Sequence, residues 1–310
     1  MISVIITTYK RPTFLARAIN SVLNQTYQNY EIIVVDDNDA GTVYREETST
    51  LINSFTKNIK YIPLVKNLGA CNARNIGLEK ALGNYILFLD DDDELLPKHL
   101  ELLHAQYKGN NKIGVVFSQA LLIDVKNKST HKTIKQLSAK DDPLLFQLLV
   151  GANSTSSILF SKKAITEAGS WIQLPFGHEN YLMVRIFAKG YKGLSIPEST
   201  VNIYFEDTER ISDNTNRLYG MNKLHEKIVP FTLGYSKNIQ KKYVYNFLKG
   251  KVLLNIGENY KKAWVNYKQM LYVDLWNLNN LKFLILLLFP FPKFLGTLNN
   301  WYRALIPKNL

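Results

Sequence analysis

Cysteine is almost absent from this chain of 310 residues, since Cys71 is the only one. A single thiol excludes an intrachain disulfide and a zinc site built from several cysteines, and we read Cys71 as an inert small residue. The five histidines show no metal-ligand spacing, and the absence of a G-x-x-x-x-G-K-[ST] motif disfavours a kinase or ATPase. No basic segment precedes the apolar residues 2–6, so no secretory signal is predicted and a cytoplasmic location is the default.

Acidic side chains are scarce in the last 90 residues, where 14 Lys and Arg stand against three Asp and Glu. The whole chain carries 38 basic and 26 acidic side chains, a net charge of +12, so the first 220 residues are nearly neutral. A hydrophobic fraction of 46% with 21% charged residues excludes a largely disordered chain, a collagen-like repeat and a polytopic membrane protein. The change in composition predicts two domains, residues 1–218 and a basic helical region of residues 219–310.

Short apolar runs alternate with amphipathic stretches over residues 1–203. The runs are predicted to be strands at residues 2–6, 31–35, 61–65, 85–89, 113–117 and 152–160. Helices are predicted from Pro12 and Thr13 onward and over residues 70–82 and 179–189, and residues 243–269 resemble a helical hairpin. This alternation predicts a parallel, doubly wound α/β sheet, in which ligands bind at the carboxyl ends of the strands.

Two groups of aspartates directly follow predicted strands. Asp36 and Asp37 follow the second strand, and four consecutive aspartates, residues 90–93, follow the fourth. Carboxylates this close repel one another unless a cation or hydrogen-bond donors compensate, and oxygen ligands favour Mg²⁺ or Mn²⁺. A solvated turn that caps a helix near Pro97 is the alternative explanation of the four aspartates taken alone. Two such strand ends at one sheet edge favour a single anionic site.

Seven motifs occur in order within the first 93 residues: SVIITTY (3–9), SVLNQTY (21–27), EIIVVDD (31–37), NLG (67–69), ARNIG (73–77), ALG (81–83) and YILFLDDDD (85–93). In this order they resemble the opening of a family 2 glycosyltransferase with the GT-A fold. The resemblance implies a Rossmann-like α/β fold, with a mostly parallel sheet and flanking helices. Here that fold would be followed by a C-terminal α-helical region.

The resemblance also implies a binding site for a nucleotide-sugar donor. Thr7 and Tyr9 would line the base and ribose, and Asp37 would accept a hydrogen bond from the base. Because a carboxylate can accept from the N3–H of uracil, a UDP-sugar is the favoured donor. Arg74 would reach the diphosphate or brace the aspartates. Without the resemblance, packing is the preferred explanation of Tyr9, and an isolated arginine such as Arg74 is more often a solvated surface residue.

The four aspartates match the D-x-D element of the family. The resemblance assigns Asp90 to the ribose and assigns Asp92, with Asp93, to a Mn²⁺ or Mg²⁺ ion, whereas Asp91 would point elsewhere. Cleavage of the bond between the anomeric carbon and the diphosphate leaves negative charge on the departing nucleotide. A divalent cation stabilises that charge as a Lewis acid.

A catalytic base is expected in residues 175–185, which resemble the acidic loop and following helix of the family. The family's base aligns with Glu179, where Glu replaces the commoner Asp, and Asn180 departs from an alternative alignment on E-D. His178 is a competing base because imidazole titrates near neutral pH. A further alternative is that Glu179 only stabilises a helix N-terminus.

Five further side chains are weaker candidates for contacts in a later loop and at the acceptor. Glu206 or Asp207 would provide a third metal contact in place of the histidine common in the family, and Arg210 would meet the diphosphate. Trp171, with Lys163 nearby, would shape the acceptor site, although Trp171 is equally well explained as a core residue.

The basic C-terminal region contains an apolar run at residues 281–295. The ten uncharged residues between Lys282 and Lys293 would span roughly 15 Å as a helix, about half of a bilayer core, so they cannot cross a membrane as a simple helix. With flanking lysines, Trp301 and Arg303, the run favours insertion into the interface of an anionic membrane. Packing on the first domain is the alternative, and nucleic acid is disfavoured because no reader motif is present.

These observations predict a metal-dependent, inverting glycosyltransferase for hexosyl or N-acetylhexosaminyl transfer. The donor would be a UDP-sugar and the acceptor a hydroxyl of a glycan, or of a lipid-linked oligosaccharide, in surface polysaccharide biosynthesis. The enzyme would be peripheral on the cytoplasmic face of the cell membrane. Two alternatives are a nucleotidyl or phosphoryl transferase, which would not explain the ordered motifs, and a catalytically degenerate module that binds sugar nucleotides or glycans.

Overall fold

The computed structural model describes residues 1–56, 59–126, 128–138, 140–151, 154–205 and 214–288. The chain divides into two compact units. The first takes the described residues of Met1–Gln147, Gly151–Gln173 and His178–Glu209, and the second takes those of Leu148–Val150, Leu174–Gly177 and Arg210–Leu310.

In the described ranges the first unit contains one nine-stranded sheet with helices beside it. Its strands are β1 (Ile2–Thr8), β2 (Tyr30–Asp36), β3 (Lys60–Pro63), β4 (Tyr85–Asp90), β5 (Asp93–Leu95), β6 (Ile113–Asp124), β7 (Ser129–Lys132), β8 (Ile158–Ser161) and β9 (Lys192–Phe205). Its helices are α1 (Pro12–Leu23), α2 (Val43–Asn53), α3 (Ala70–Lys80), α4 (His99–Ala105), α5 (Pro143–Leu149), whose last residues belong to the second unit, α6 (Lys162–Glu167) and α7 (His178–Ala188).

The strand order is β3-β2-β1-β4-β8-β6-β9-β5, with β7 beside β6. Strands β1 to β4 are mutually parallel where they pair, and β6 is parallel to β9. Strand β8 is antiparallel to its neighbours β4 and β6, and the short β5 is antiparallel to β9. This mostly parallel sheet with flanking helices confirms the predicted fold class.

The central strands consist largely of apolar residues because both faces of the sheet are covered there by hydrophobic cores. Along β1, Ile5 packs into one hydrophobic core, whereas Val4 and Ile6 face the core on the other side. Helix α1 starts with Pro12, which suits a first helical turn, and packs Leu15 and its apolar neighbours against that second core.

Helix α3 lies very close to the central strand. A Cβ atom on Gly77 would lie 2.5 Å from Cγ2 of Ile5, so only glycine permits this approach. The close approach brings Arg74, one turn earlier on α3, toward the carboxyl end of β4.

The register of the central strands brings the two groups of aspartates to one edge of the sheet. Thr8 at the end of β1 is opposite Asp36, and Thr7 is opposite Asp90. Parallel strands that end in register place the residues that follow them side by side.

One predicted strand was wrong in part, and one strand was missed. The predicted strand over residues 152–160 is shorter, since Thr155–Ser157 is a 3₁₀ turn and only Ile158–Ser161 forms β8. The long strand β9 was not predicted.

The second unit is helical and contains α8 (Asn214–Thr232), α9 (Lys237–Glu258), α10 (Tyr260–Val273) and α11 (Asn279–Leu288). Helices α9 and α10 form the predicted hairpin, and Asn259 between them caps α10 by accepting from the Lys262 amide at 3.0 Å. Residue 218, where the composition changes, lies within α8. No helix in the described ranges combines the length and apolar character that crossing a bilayer requires.

Candidate active site

The four consecutive aspartates form the turn from β4 into β5, which we call the aspartate turn (residues 90–93). Each carboxylate has a different partner from another part of the chain. Asp90 pairs with Arg74 at 2.6 Å, Asp91 accepts from Thr8 Oγ1 at 2.7 Å, Asp92 pairs with Arg11 at 2.7 Å, and Asp93 accepts from Ser156 Oγ at 2.5 Å. The side chains therefore diverge, although they follow one another in the sequence.

Three carboxyl groups of the aspartate turn have raised pKa values, so their ionised forms are disfavoured. Burial raises the pKa of Asp91 to about 7, and Thr8 and Arg11 only partly offset this effect. Burial, followed by the charge of Asp90, also raises the pKa of Asp92 and, more strongly, that of Asp93. A cation at this turn would relieve the cost of holding these groups ionised.

Asp92 is the aspartate best suited to bind a metal ion. Its side chain is 35% exposed, whereas Asp93 is 3% exposed and its carboxyl group contacts Ser156. Among the residues that the structure describes, no three His, Cys, Asp or Glu side chains form a cluster that could hold a metal ion. Mg²⁺ is commonly held by one or two carboxylates plus substrate phosphates, so Asp92 with a diphosphate fits such an ion. Oδ2 of Asp91 accepts from Thr8, and its Oδ1 lies 3.7 Å from the Arg11 atom that pairs with Asp92.

Asp37 fixes the loop that leads into α3. Its Oδ1 accepts from the Leu68 amide at 2.7 Å, and its Oδ2 accepts from the Gly69 amide and from Asn67 Nδ2, both at 3.0 Å. Burial raises the pKa of Asp37, and the two backbone hydrogen bonds oppose that rise. The positive φ of +84° at Gly69 suits glycine at this turn. A hydrogen bond from Asp37 to a nucleotide base stays a prediction.

The carboxylate of Asp36, next to Asp37 in the chain, is bound by other side chains of the protein. It is fully buried and accepts from Tyr61 Oη at 2.6 Å, while Arg45 Nε lies 2.8 Å from the same Oδ2 atom. The Asn38 side chain donates to the other oxygen at 2.7 Å. With these partners, Asp36 holds β2, β3 and α2 together rather than facing a ligand.

Arg74 braces the aspartate turn, which was one of its two predicted roles. The side chain is buried and lies over the ring of Trp171, with 4.8 Å from the guanidinium carbon to the ring centroid. Trp171 is 3% exposed and packs edge-on against Phe88 and Phe160, so it is a core residue. Lys163 is 72% exposed and its nearest carboxylate is that of Glu167, 3.8 Å away on the same helix.

Thr7 and Tyr9 lie at the carboxyl end of β1, next to the aspartate turn. Thr7 is the partner of Asp90 in the sheet and is partly exposed, as is Tyr9. The ammonium group of Lys10 lies 5.0 Å from the centre of the Tyr9 ring. Both candidate side chains therefore lie where a nucleotide could reach them, and their contact with one stays a prediction.

Glu179 lies in the first turn of α7. Burial raises its pKa, and the charge of Asp90 acts in the same direction, whereas Arg74 and Lys135 oppose the rise. Burial and the charge of Arg74 lower the pKa of His178 to about 4. Of the two candidate bases, Glu179 is therefore the stronger proton acceptor.

Sequence reasoning missed several residues around the site. Arg17 on α1 donates to the backbone carbonyl of Asp92 at 2.7 Å, and Arg11 pairs with the carboxylate of the same residue. Both arginines lie close to the TTY motif, which was the only available signal. Lys135 comes from an irregular segment, and burial lowers its pKa to about 8 while the charge of Glu179 opposes that change.

Asn180 is explained by a contact that the sequence did not reveal. Its side-chain oxygen accepts from Gln147 Nε2 at 2.9 Å, so an uncharged amide links the start of α7 to α5. The candidates Glu206, Asp207 and Arg210 lie outside the described residues.

The strand-end site on a mostly parallel sheet defines an α/β enzyme of the GT-A type. The model of the family described as "Glycosyl transferase family 2" matches residues 3–168, just over half of the chain, and the chain belongs to that family. It is therefore a glycosyltransferase, and this confirms the predicted enzyme class.

Two curated relatives match over most of their length. The chain is 28% identical over 279 residues to the GalNAc(5)-diNAcBac-PP-undecaprenol beta-1,3-glucosyltransferase of Campylobacter jejuni, covering 87% of this chain and 81% of that protein. It is 30% identical over 238 residues to the poly(ribitol-phosphate) beta-N-acetylglucosaminyltransferase TarP of Staphylococcus aureus, covering 68% and 70%. The match covers a smaller share of other relatives, for example 57% of an uncharacterized glycosyltransferase of Haemophilus influenzae.

Among solved structures, the fold is similar to that of S. aureus TarS 1-349 in complex with UDP-GlcNAc. The TM-score is 0.58 at 14% identity, and the match covers 87% of this chain and 90% of that one. At this identity the likeness supports the fold alone.

Proposed function

We propose that this glycosyltransferase moves a sugar from a UDP-sugar to a hydroxyl of a glycan or lipid-linked oligosaccharide during surface polysaccharide synthesis. The observation that carries the proposal is the strand register that places Thr7 opposite Asp90 at one sheet edge, with Asp92 in the turn that follows. We propose a UDP-sugar as the donor because TarS, which has the same fold, was solved in complex with UDP-GlcNAc and with UDP. The acceptor class is supported by the Campylobacter relative, whose name specifies an undecaprenol-linked glycan.

In the proposed reaction, the acceptor oxygen attacks the anomeric carbon while the bond from that carbon to the diphosphate breaks. Glu179 takes the proton of the acceptor hydroxyl, and a direct displacement of this kind inverts the configuration of the sugar. A Mn²⁺ or Mg²⁺ ion held by Asp92 would supply charge stabilisation for the leaving diphosphate. Arg74 keeps Asp90 in place beside the reacting groups.

A donor screen tests the proposed function. UDP-, GDP- and dTDP-sugars are compared by thermal shift with and without Mn²⁺, and the best binder is then assayed for nucleotide release with glycan and lipid-linked acceptors. We expect a UDP-sugar to raise the melting temperature most and UDP to be released in step with transfer. Binding without release of nucleotide would instead assign a sugar-nucleotide-binding module, and release of sugar phosphate, which accompanies transfer of the UMP group, would assign a nucleotidyl transferase.

We also propose that the second unit contacts the cytoplasmic face of an anionic membrane. Large apolar side chains are exposed at the end of α10, between α10 and α11 and along α11, and we call them the apolar ridge: Tyr272, Leu275, Trp276, Leu278, Leu281, Ile285 and Leu288. Trp276 is 89% and Leu278 is 91% exposed. The last 90 residues carry 14 basic and three acidic side chains, which favours anionic lipid over an uncharged partner.

The apolar ridge is presented by an ordered turn. Asn280 is buried beneath it and donates to the carbonyl groups of Asp274 at 2.7 Å and Leu275 at 3.2 Å, while it accepts from Tyr245 Oη at 2.8 Å. Phe283 and Leu287 are buried on the opposite face of α11. An amphipathic helix beside a fixed turn with an exposed tryptophan suits the interfacial region of a bilayer.

The double variant Trp276→Ser/Leu278→Ser tests this surface. Its binding to vesicles of phosphatidylcholine and phosphatidylglycerol at low salt is expected to fall by about tenfold to hundredfold, because two large apolar side chains are lost from the interface. Leu82→Ser is the matched control, since Leu82 is 73% exposed in the first unit. Co-sedimentation measures the effect. Equal binding of all three proteins would contradict the proposal, and loss of a dimer on gel filtration would assign the ridge to a second copy.

A further inference from the structure

Arg11 occupies the carboxylate that the proposed metal ion needs. It is the residue before Pro12, the first residue of α1, and its Nη1 atom lies 2.7 Å from Oδ2 of Asp92 and 3.7 Å from Oδ1 of Asp91. A divalent ion bound to Oδ2 of Asp92 would share that oxygen with this guanidinium. Two cations this close repel each other, so Arg11 and the ion compete for Asp92.

The ion pair between Arg11 and Asp92 can be broken more easily than the ion pair between Arg74 and Asp90. The side chains of Arg11 and Asp92 are 25% and 35% exposed, whereas that of Arg74 beside Asp90 is 9% exposed. Because solvent screens exposed ion pairs, releasing Arg11 costs little, whereas releasing Arg74 would leave a buried charge without its partner.

We propose that Arg11 is an internal counter-cation that holds Asp92 while the site lacks donor, and that it makes metal binding depend on the nucleotide. A diphosphate brings two or more negative charges, which offset both the metal ion and the guanidinium. Without nucleotide, the metal ion has to displace Arg11 with no such compensation. Arg11 is thus a positioning residue that favours joint binding of metal and donor. This inference rests on the metal dependence in the proposed function.

Arg17, on the helix that begins directly after Arg11, provides a matched control. Its Nη2 atom donates to the backbone carbonyl of Asp92 at 2.7 Å, and its guanidinium stacks on Tyr204 at 4.0 Å. Arg17 therefore stabilises the backbone of the aspartate turn without occupying a carboxylate. Removing its charge changes the local potential but leaves the pair between Arg11 and Asp92 in place.

The experiment measures Mn²⁺ affinity of the full-length protein by electron paramagnetic resonance, with and without UDP. Without UDP, Arg11→Gln is expected to bind Mn²⁺ about tenfold more tightly than wild type, because the competing charge is gone. Arg17→Gln is expected to stay within about threefold of wild type, since its charge lies farther from the carboxylate. The factor by which UDP strengthens Mn²⁺ binding should shrink in Arg11→Gln, and the effect of Mn²⁺ on UDP must shrink equally.

Two results would overturn the inference. One is an Arg11→Gln protein whose Mn²⁺ affinity without UDP is unchanged or weaker than that of wild type. The other is an Arg17→Gln protein whose Mn²⁺ affinity rises as much as that of Arg11→Gln. Arg11→Lys keeps the charge and should not gain affinity, and Arg11→Ala provides the neutral variant if Arg11→Gln fails to fold in a thermal melt. Failure of the proposed metal dependence would be distinct, because wild type would then bind UDP equally well with and without Mn²⁺.

Discussion

Replacing Asp92 with asparagine is expected to abolish the effect of Mn²⁺ on UDP affinity and to lower sugar transfer by about 10²–10³-fold. The carboxylate of Asp92 is partly exposed and carries a raised pKa from burial and from Asp90, so a bound cation would offset an unfavourable charge there. Asparagine keeps the shape but loses that charge. Calorimetry of UDP binding with and without Mn²⁺ measures the effect, and an unchanged UDP affinity in the presence of Mn²⁺ would remove Asp92 from the metal site.

Asp93→Asn provides the discriminating comparison. The carboxyl group of Asp93 is buried and accepts from Ser156 Oγ, a role that the side-chain oxygen of asparagine can keep. The geometry therefore predicts that Mn²⁺ still strengthens UDP binding in this variant. If Asp93→Asn lost that effect and Asp92→Asn kept it, the metal ion would belong to Asp93. Thermal unfolding of both variants checks that the fold is intact.

Much of the catalytic half was predictable because its information is local. Apolar runs such as residues 2–6 and 85–89 predict buried strands, and the parallel arrangement brings the residues after them to one edge. The positions of the two groups of aspartates followed from this rule. The strand β9 was missed because Pro197 lies within it and its pairing with β6 contains register shifts, so no regular alternation marks it.

The different contacts and roles of the individual aspartates were not predictable from the sequence. Asp93 meets Ser156 and Asp92 meets Arg11, which are 63 and 81 residues away in the chain. Such partners are set by tertiary packing. The same is true of Asp36, whose adjacency to Asp37 suggested a shared role although Arg45 and Tyr61 bind it in the interior. Spacing identified the acidic edge, and the partners determine which carboxylates remain accessible.

Glu179→Gln is expected to lower kcat by about 10²–10⁴-fold, because glutamine cannot accept the proton of the acceptor hydroxyl. Donor affinity should change little, since the proposed donor contacts come from other elements. A base must be ionised to act, so activity is lost as the pH falls through its pKa. Burial raises the pKa of Glu179, and the acidic limb of the kcat/KM profile should therefore lie above the usual range of a glutamate. The same limb should be absent in Glu179→Gln.

His178→Ala is the matched control for this assignment, because His178 is the adjacent residue and the competing base. Burial and Arg74 lower its pKa to about 4, so at neutral pH it is an uncharged and weaker proton acceptor than Glu179. We expect His178→Ala to retain transfer within about tenfold of wild type, below the typical contribution of a general base. Near-normal transfer by Glu179→Gln together with loss of transfer in His178→Ala would instead make the histidine the base. A steady-state assay across pH distinguishes the two residues, since the acidic limb belongs to whichever residue accepts the proton.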